Sequence, residues 1–140
     1  GEKIMSHFST TTVKIQQSRT SAIRAALISM GYTPNQIQIH DTPKSLTNYY
    51  GKTQGDAHVI IKGSGRSSGQ PDIGIKFLAD GQASITLDSM VSGRDWEQRF
   101  VQQYSKAVIK EVAEEQNFVI EEETVDIKTG ELVMIISSQY

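Results

Sequence analysis

Ile73-Gly74-Ile75-Lys76-Phe77-Leu78-Ala79-Asp80-Gly81-Gln82-Ala83-Ser84-Ile85-Thr86-Leu87 is the stretch that decides the fold class. Ile73, Ile75 and Phe77 alternate with Gly74, Lys76 and Leu78, and Ala83, Ile85 and Leu87 alternate again after Asp80-Gly81. Successive side chains of a strand point to opposite faces, and Asp-Gly supplies the backbone freedom a tight turn needs, so the stretch predicts a β-hairpin with one apolar face. That face needs a cover, and the sequence supplies helices on both sides of it. Arg94 to Gln116 contains no Gly or Pro, and Trp96, Phe100, Tyr104, Ala107, Val108 and Val112 trace a helical stripe, with Arg99, Gln103, Lys106, Lys110 and Glu114 on the solvated side. Asp95 at its start complements the helix dipole.

Upstream, the Thr- and Val-rich run from Ser6 to Ile15 predicts a strand. Ser18 or Thr20 then caps a helix carrying Ile23, Ala26, Leu27 and Met30, which Gly31 ends, with Arg19 and Arg24 facing solvent. A short strand centred on Ile37 and Ile39 is expected to stop at Asp41-Thr42-Pro43, and Lys44 to Gly55 reads as a loop or an irregular edge. Val59, Ile60 and Ile61 form the next strand, followed by a surface loop of three glycines and three serines across residues 63–70. Downstream, Phe118 to Ile127 and Leu132 to Ile136 form a second hairpin across Lys128-Thr129-Gly130. Phe118 and Ile120 have one parity and Val125 and Ile127 the other, so a β-bulge is expected near Glu121 to Thr124. Leu132 to Ile136 is apolar on both parities and reads as a central strand. The element order is β-α-β-β-β-β-α-β-β: an α+β domain with an antiparallel sheet, two helices on one face, and a ferredoxin-like flavour.

The 140 residues suit one domain over 5–140, with Gly1 to Ile4 ahead of Met5 read as a leftover of expression. A net charge of −2 provides no field that steers toward nucleic acid, which makes a nucleic-acid partner unfavoured, or toward an anionic membrane. With no cysteine there are no disulfides, thiolate chemistry or cysteine-held metals, and a reducing compartment, the cytoplasm, is the expected location. No apolar run approaches the roughly 20 residues of a membrane helix, so no membrane partner is expected.

No constellation carries a recognisable chemistry. His7, His40 and His58 show no metal-ligand spacing, so no metal and no cofactor are expected, although strands meeting at one sheet end could bring them together. Gly63-Ser64-Gly65-Arg66 could form an anion-binding backbone nest helped by Lys62 and Arg66, but it follows a strand without opening a helix, as a phosphate loop must. Glu121, Glu122 and Glu123 read as an edge kept soluble by charge, with an acidic surface for a basic partner as the functional alternative. Trp96 and Tyr104 at helical spacing are core packing or the frame of a ligand pocket, whereas Tyr49 and Tyr50 fall in a loop where exposure would point to a partner. No residue is singled out as catalytic.

Met5-Ser6-His7-Phe8-Ser9, the Thr-rich strand behind it and Met30-Gly31-Tyr32 together resemble the hypothetical chloroplast reading frame thirty-five family of plastids and cyanobacteria, a domain of unknown function. Tyr50-Gly51-Lys52, Ala57-His58-Val59-Ile60, Asp72-Ile73-Gly74-Ile75, Phe100-Val101-Gln102-Gln103-Tyr104 and Phe118-Val119-Ile120-Glu121-Glu122 continue the likeness over nearly the whole chain. The stretches at 63–70 and from Met90 to Arg94 depart from the pattern, as in a divergent member from a phage or another bacterium. The resemblance implies a cytoplasmic or stromal accessory protein, with an ATPase of the AAA type among its partners. The leading expectation is a non-enzymatic interaction module that offers a sheet edge, or the face bearing Tyr49 and Tyr50, to a protein partner or a second copy. Small-ligand or nucleic-acid binding through the 62–70 loop, using Lys62, Arg66 and the loop tyrosines Tyr49 and Tyr50, is the alternative, with Trp96 a further candidate binding residue. An enzyme gathering His7, His58 and a carboxylate is the third.

Overall fold

The computed structural model describes residues 8–63, 70–93, 95–125 and 132–138. Their elements run β1 (Phe8–Lys14), α1 (Thr20–Ser29), β2 (Ile37–Thr47), β3 (Thr53–Ile61), β4 (Ile73–Phe77), β5 (Gln82–Asp88), the single turn α2 (Ser89–Ser92), α3 (Trp96–Glu115), β6 (Phe118–Val125) and β7 (Leu132–Ser138). The class is α+β of a ferredoxin-like type, with a five-stranded antiparallel sheet ordered β1-β5-β4-β3-β2 and a separate two-stranded sheet β6-β7. Four successive antiparallel pairings leave β1 and β2 parallel at opposite edges, so α1 crosses the sheet between them.

The β4-β5 hairpin forms as its alternation dictates, with Ile75 opposite Ile85 and Phe77 opposite Ala83. Gly81 takes φ of +82° in the turn, and Leu78 N–H donates to the Gln82 carbonyl at 2.8 Å. Ile73, Ile75, Ala83, Ile85 and Leu87 are buried on one face, where Val59 and Ile61 join them. Ala22, Ile23, Ala26 and Leu27 of α1 and Trp96, Phe100 and Tyr104 of α3 cover that face together. Both helices therefore lie on one side of the sheet.

Helix α1 ends as Gly31 predicts. Gly31 has φ of +103°, Tyr32 N–H reaches the Leu27 carbonyl at 3.2 Å and Gly31 N–H the Ile28 carbonyl at 3.0 Å, which satisfies the last carbonyls of the helix. Its start differs from expectation. A 3₁₀ turn over Gln17–Arg19 leads into it, Arg19 occupies the cap position, and no side chain caps the helix. Arg19 is not simply solvated either: its guanidinium bonds Glu111 at 3.3 Å and Glu115 at 2.9 Å, tying α1 to α3. The hydrogen bond to Glu115 is the main cause holding that guanidinium above its ordinary pKa.

The β2-β3 ribbon departs most from the sequence reading. Strand β2 does not stop at Asp41-Thr42-Pro43 but continues to Thr47, and Lys44 to Gly55 is largely a hairpin closed by the turn at Asn48–Lys52. Pro43 is accommodated because the register shifts between Ile39 and Lys44, on an edge strand where no ladder donor is needed. At this irregularity the ribbon turns back over the other face of the sheet. Leu46 and Ala57 bury themselves there with Ile60, and Phe8 of β1 packs against them. The seat is Gly74: a Cβ on it would lie 2.8 Å from both Ala57 Cβ and Leu46 Cδ1.

The second hairpin carries the register shift at Glu121 that the parity switch requires. Its last strand, however, is not central. β7 pairs only with β6 among the described residues, and both strands lie against α3 instead of extending the main sheet. An apolar run on both parities therefore does not by itself place a strand inside the main sheet.

Candidate interaction surface

Asp72 organises the region where most of the sequence-predicted site residues fall. Its side chain is 2% exposed, just ahead of β4. Oδ2 accepts from Thr47 N–H at 2.9 Å and from Lys62 Nζ at 3.0 Å, Oδ1 accepts from Gly63 N–H at 3.1 Å, and Asp72 N–H returns a bond to the Thr47 carbonyl at 2.9 Å. A buried carboxylate survives only where donors replace its water, and here three segments provide them. The result pins the folded-over β2-β3 tip to the end of β3.

Beyond Thr47 the tip presents Tyr49 and Tyr50. Asn48 builds it, its Oδ1 accepting from Tyr50 N–H at 3.0 Å and Lys52 N–H at 3.1 Å. Tyr49 is 39% and Tyr50 59% exposed, and their rings meet edge to face with centroids 5.3 Å apart. Lys62 is thus tied to the tyrosine turn through the Asp72 carboxylate.

Trp96 belongs elsewhere. It is 1% exposed, stacks on Phe100 at 5.4 Å, and donates its indole N–H to Tyr32 Oη at 2.8 Å. Its role is packing, as is that of Tyr104, whose hydroxyl accepts from Gln16 N–H at 3.0 Å. Trp96 and Lys62 nevertheless both border a small cleft of about 220 Å³ with Tyr32, Gln36, Gln70 and Arg99. The chemistry of that cleft is muted, because each of its cations already faces a carboxylate, Lys62 with Asp72 at 3.0 Å and Arg99 with Asp95 at 3.4 Å. Arg66, and with it most of the Ser/Gly loop, lies outside the described residues.

The histidines do not gather. His40 bonds Gln38 Oε1 at 3.1 Å, whereas His58 accepts Phe77 N–H on Nδ1 at 3.0 Å and rests against the Phe77 ring, so its proton sits on Nε2. His7 lies outside the described residues. Among the described residues no group of three or more His, Asp or Glu could hold a metal ion, and no helix is long and apolar enough to cross a membrane.

The sheet edges remain. Edge β2 is blunted by Pro43, by flanking Asp41 and Lys44, and by two register shifts. Edge β1 has none of these: it pairs with β5 in unbroken register from Phe8 to Lys14, contains no proline, and carries no charge before Lys14. Its residues Ser9 to Thr12 are exposed, and no other described strand pairs with its far side. No family model matches the chain, and no curated protein or solved structure gives a significant match.

Proposed function

We propose that this chain is a non-enzymatic interaction module that captures an extended segment of a protein partner along β1. The supporting observation is the contrast between its two sheet edges. Natural sheets blunt an exposed edge with charge, proline or bulges, because unpaired N–H and C=O groups recruit any passing strand. β2 carries all three devices and β1 carries none. A strand added at β1 gains its affinity from main-chain hydrogen bonds, and the exposed Ser9, Thr10, Thr11 and Thr12 offer small hydroxyl-bearing neighbours that tolerate varied sequences. The exposed Tyr49-Tyr50 turn, on the ribbon folded over the sheet's other face, is an additional anchor.

We also propose, from the amino-terminal motif and its continuation, that the chain is a divergent member of the chloroplast reading frame thirty-five family. It acts there as an accessory protein in a reducing cytoplasmic or stromal compartment. An ATPase of the AAA type is among the first partners to test.

The experiment is affinity capture from the native host, comparing wild type with Thr10→Pro and Thr11→Pro. Backbone groups of successive edge residues alternate between β5 and the open side, so one of these prolines removes an outward donor while the other disrupts the β1-β5 ladder. The variant that keeps its native circular dichroism should lose the captured partner at least tenfold. Undiminished capture by that variant refutes the reading. A second reading, small-anion or nucleic-acid contact at Lys62, has the adjoining cleft in its favour. A flat titration with nucleotides and oligonucleotides at low salt removes it.

A further inference from the structure

Tyr104 packs its ring in the core, but the fold uses only half of what its hydroxyl offers. A phenol both accepts and donates. The oxygen accepts from Gln16 N–H at 3.0 Å, whereas no described residue takes the hydroxyl hydrogen. Tyr104 is 7% exposed, and a buried donor without an acceptor is costly enough that native folds rarely keep one. Tyr104 and Gln16 both line an open cavity of about 460 Å³ where the end of β1 meets α3. Helical spacing builds one of its walls: Tyr104 and Val108, and beside them Ser105 and Ile109, stack at i and i+4 along α3. Ile15, 2% exposed and just beyond β1, adds further apolar surface. The polar groups of this wall are uncommitted. Among the described residues the ammonium of Lys14 pairs with no carboxylate, and the Ser105 hydroxyl has no hydrogen-bond partner. The cleft beside Trp96 is different, because there each cation already faces a carboxylate.

We propose that this cavity binds a small apolar monocarboxylate, of the size of a phenyl- or branched-alkyl acetic acid. The carboxylate supplies the acceptor that the Tyr104 hydroxyl lacks and the counter-charge that Lys14 lacks, with Ser105 as a further donor. The apolar body of the ligand lies on Ile15, Val108 and Ile109. Apolar walls with a few convergent polar groups are the make-up of small-molecule sites, whose volumes run from about 300 to 1,000 Å³. Such walls favour an organic anion over water, and over inorganic phosphate, whose oxygens on every side would need donors that aliphatic side chains cannot give. The site lies at the end of β1 and adds a ligand to the strand-capture function without depending on it.

The test is an amide NMR titration of the whole protein with phenylacetate and isovalerate, beside phenylacetamide as the neutral counterpart and inorganic phosphate as the anion without an apolar body. One or both acids should shift the amides of residues 14–16 and 104–109 with a dissociation constant of about 1 mM or tighter, as suits ligands of this size. Phenylacetamide and phosphate should bind at least tenfold more weakly. Lys14→Met keeps the stem of an exposed side chain and removes its charge, and should weaken the acid at least tenfold while the other β1-β5 amides keep their positions. Tyr104→Phe should weaken it at least threefold, and because that change also takes the acceptor from Gln16 N–H, Lys14→Met is the deciding variant. No shift from either acid at ten times that concentration, shifts centred away from these residues, phenylacetamide binding as tightly as phenylacetate, or undiminished binding by Lys14→Met overturns the proposal. None of these outcomes depends on whether β1 captures a partner.

Discussion

Replacing Asp72 by asparagine changes one buried carboxylate into an amide of the same shape, and the structure sets the consequence. The carboxylate accepts three donors, from Thr47, Lys62 and Gly63, at 2.9, 3.0 and 3.1 Å, and is 2% exposed. An amide has one acceptor oxygen. If it serves Thr47 and Lys62, its NH₂ group faces the Gly63 N–H and one buried backbone donor is orphaned. The opposite orientation orphans the Thr47 donor and leaves Lys62 opposite the NH₂ group. An unsatisfied buried donor costs about 1–3 kcal/mol, and the surviving bonds lose their charge assistance. Lys62 is 41% exposed, so its share of the pair is small and largely screened. The expected destabilisation is therefore about 2–4 kcal/mol for Asp72→Asn against less than about 1 kcal/mol for Lys62→Met. Urea unfolding measures the global term, and hydrogen exchange at the Thr47 and Gly63 amides measures the local one. Asp72→Asn should speed exchange at both amides and loosen the Tyr49-Tyr50 turn. Stability within about 0.5 kcal/mol of wild type, with both amides still protected, refutes the assignment of Asp72 as the anchor of the folded-over ribbon.

Gly74→Ala should lower stability by about 1–3 kcal/mol through overpacking against Ala57 and Leu46, whose atoms lie 2.8 Å from the new Cβ. A thermal melt reads the loss, and combining it with Leu46→Ala should give less than the sum of the two single losses, since the pair shares one space. Tyr32→Phe leaves the indole N–H of Trp96 without its partner and should cost about 1–3 kcal/mol. Because Trp96 is the single tryptophan, its emission follows unfolding directly, and an unshifted midpoint contradicts that bond.

How far the sequence could be read depended on how local each cause was. Ile73 to Leu87 was legible because strict alternation around Asp80-Gly81 is a contiguous pattern, and the α3 stripe from Trp96 to Val108 was legible for the same reason. The parity switch in β6 revealed its bulge without any structure. The distal β2-β3 ribbon reads only as a loop or an irregular edge, and its pairing stays hidden because its packing rests on Leu46 and Ala57 amid polar residues, too sparse for a periodic signal. Asp72 was invisible as a site residue because its donors come from Thr47, Lys62 and Gly63, which only the fold brings together. The exposure of Tyr49 and Tyr50 followed from a turn sequence, and the core packing of Trp96 and Tyr104 from their helical spacing. The openness of β1 also required topology, since nothing in Phe8 to Lys14 says whether the strand lies at an edge or between two neighbours.

The claim that β1 is the docking edge is tested most directly by hydrogen exchange on the purified complex between this chain and its captured partner. Alternate amides of Phe8 to Lys14 should exchange rapidly in the free protein and gain at least tenfold protection when the partner is bound, while β2 amides stay unchanged. Protection that appears on β2 or around Tyr49 and Tyr50 with none on β1 contradicts the account.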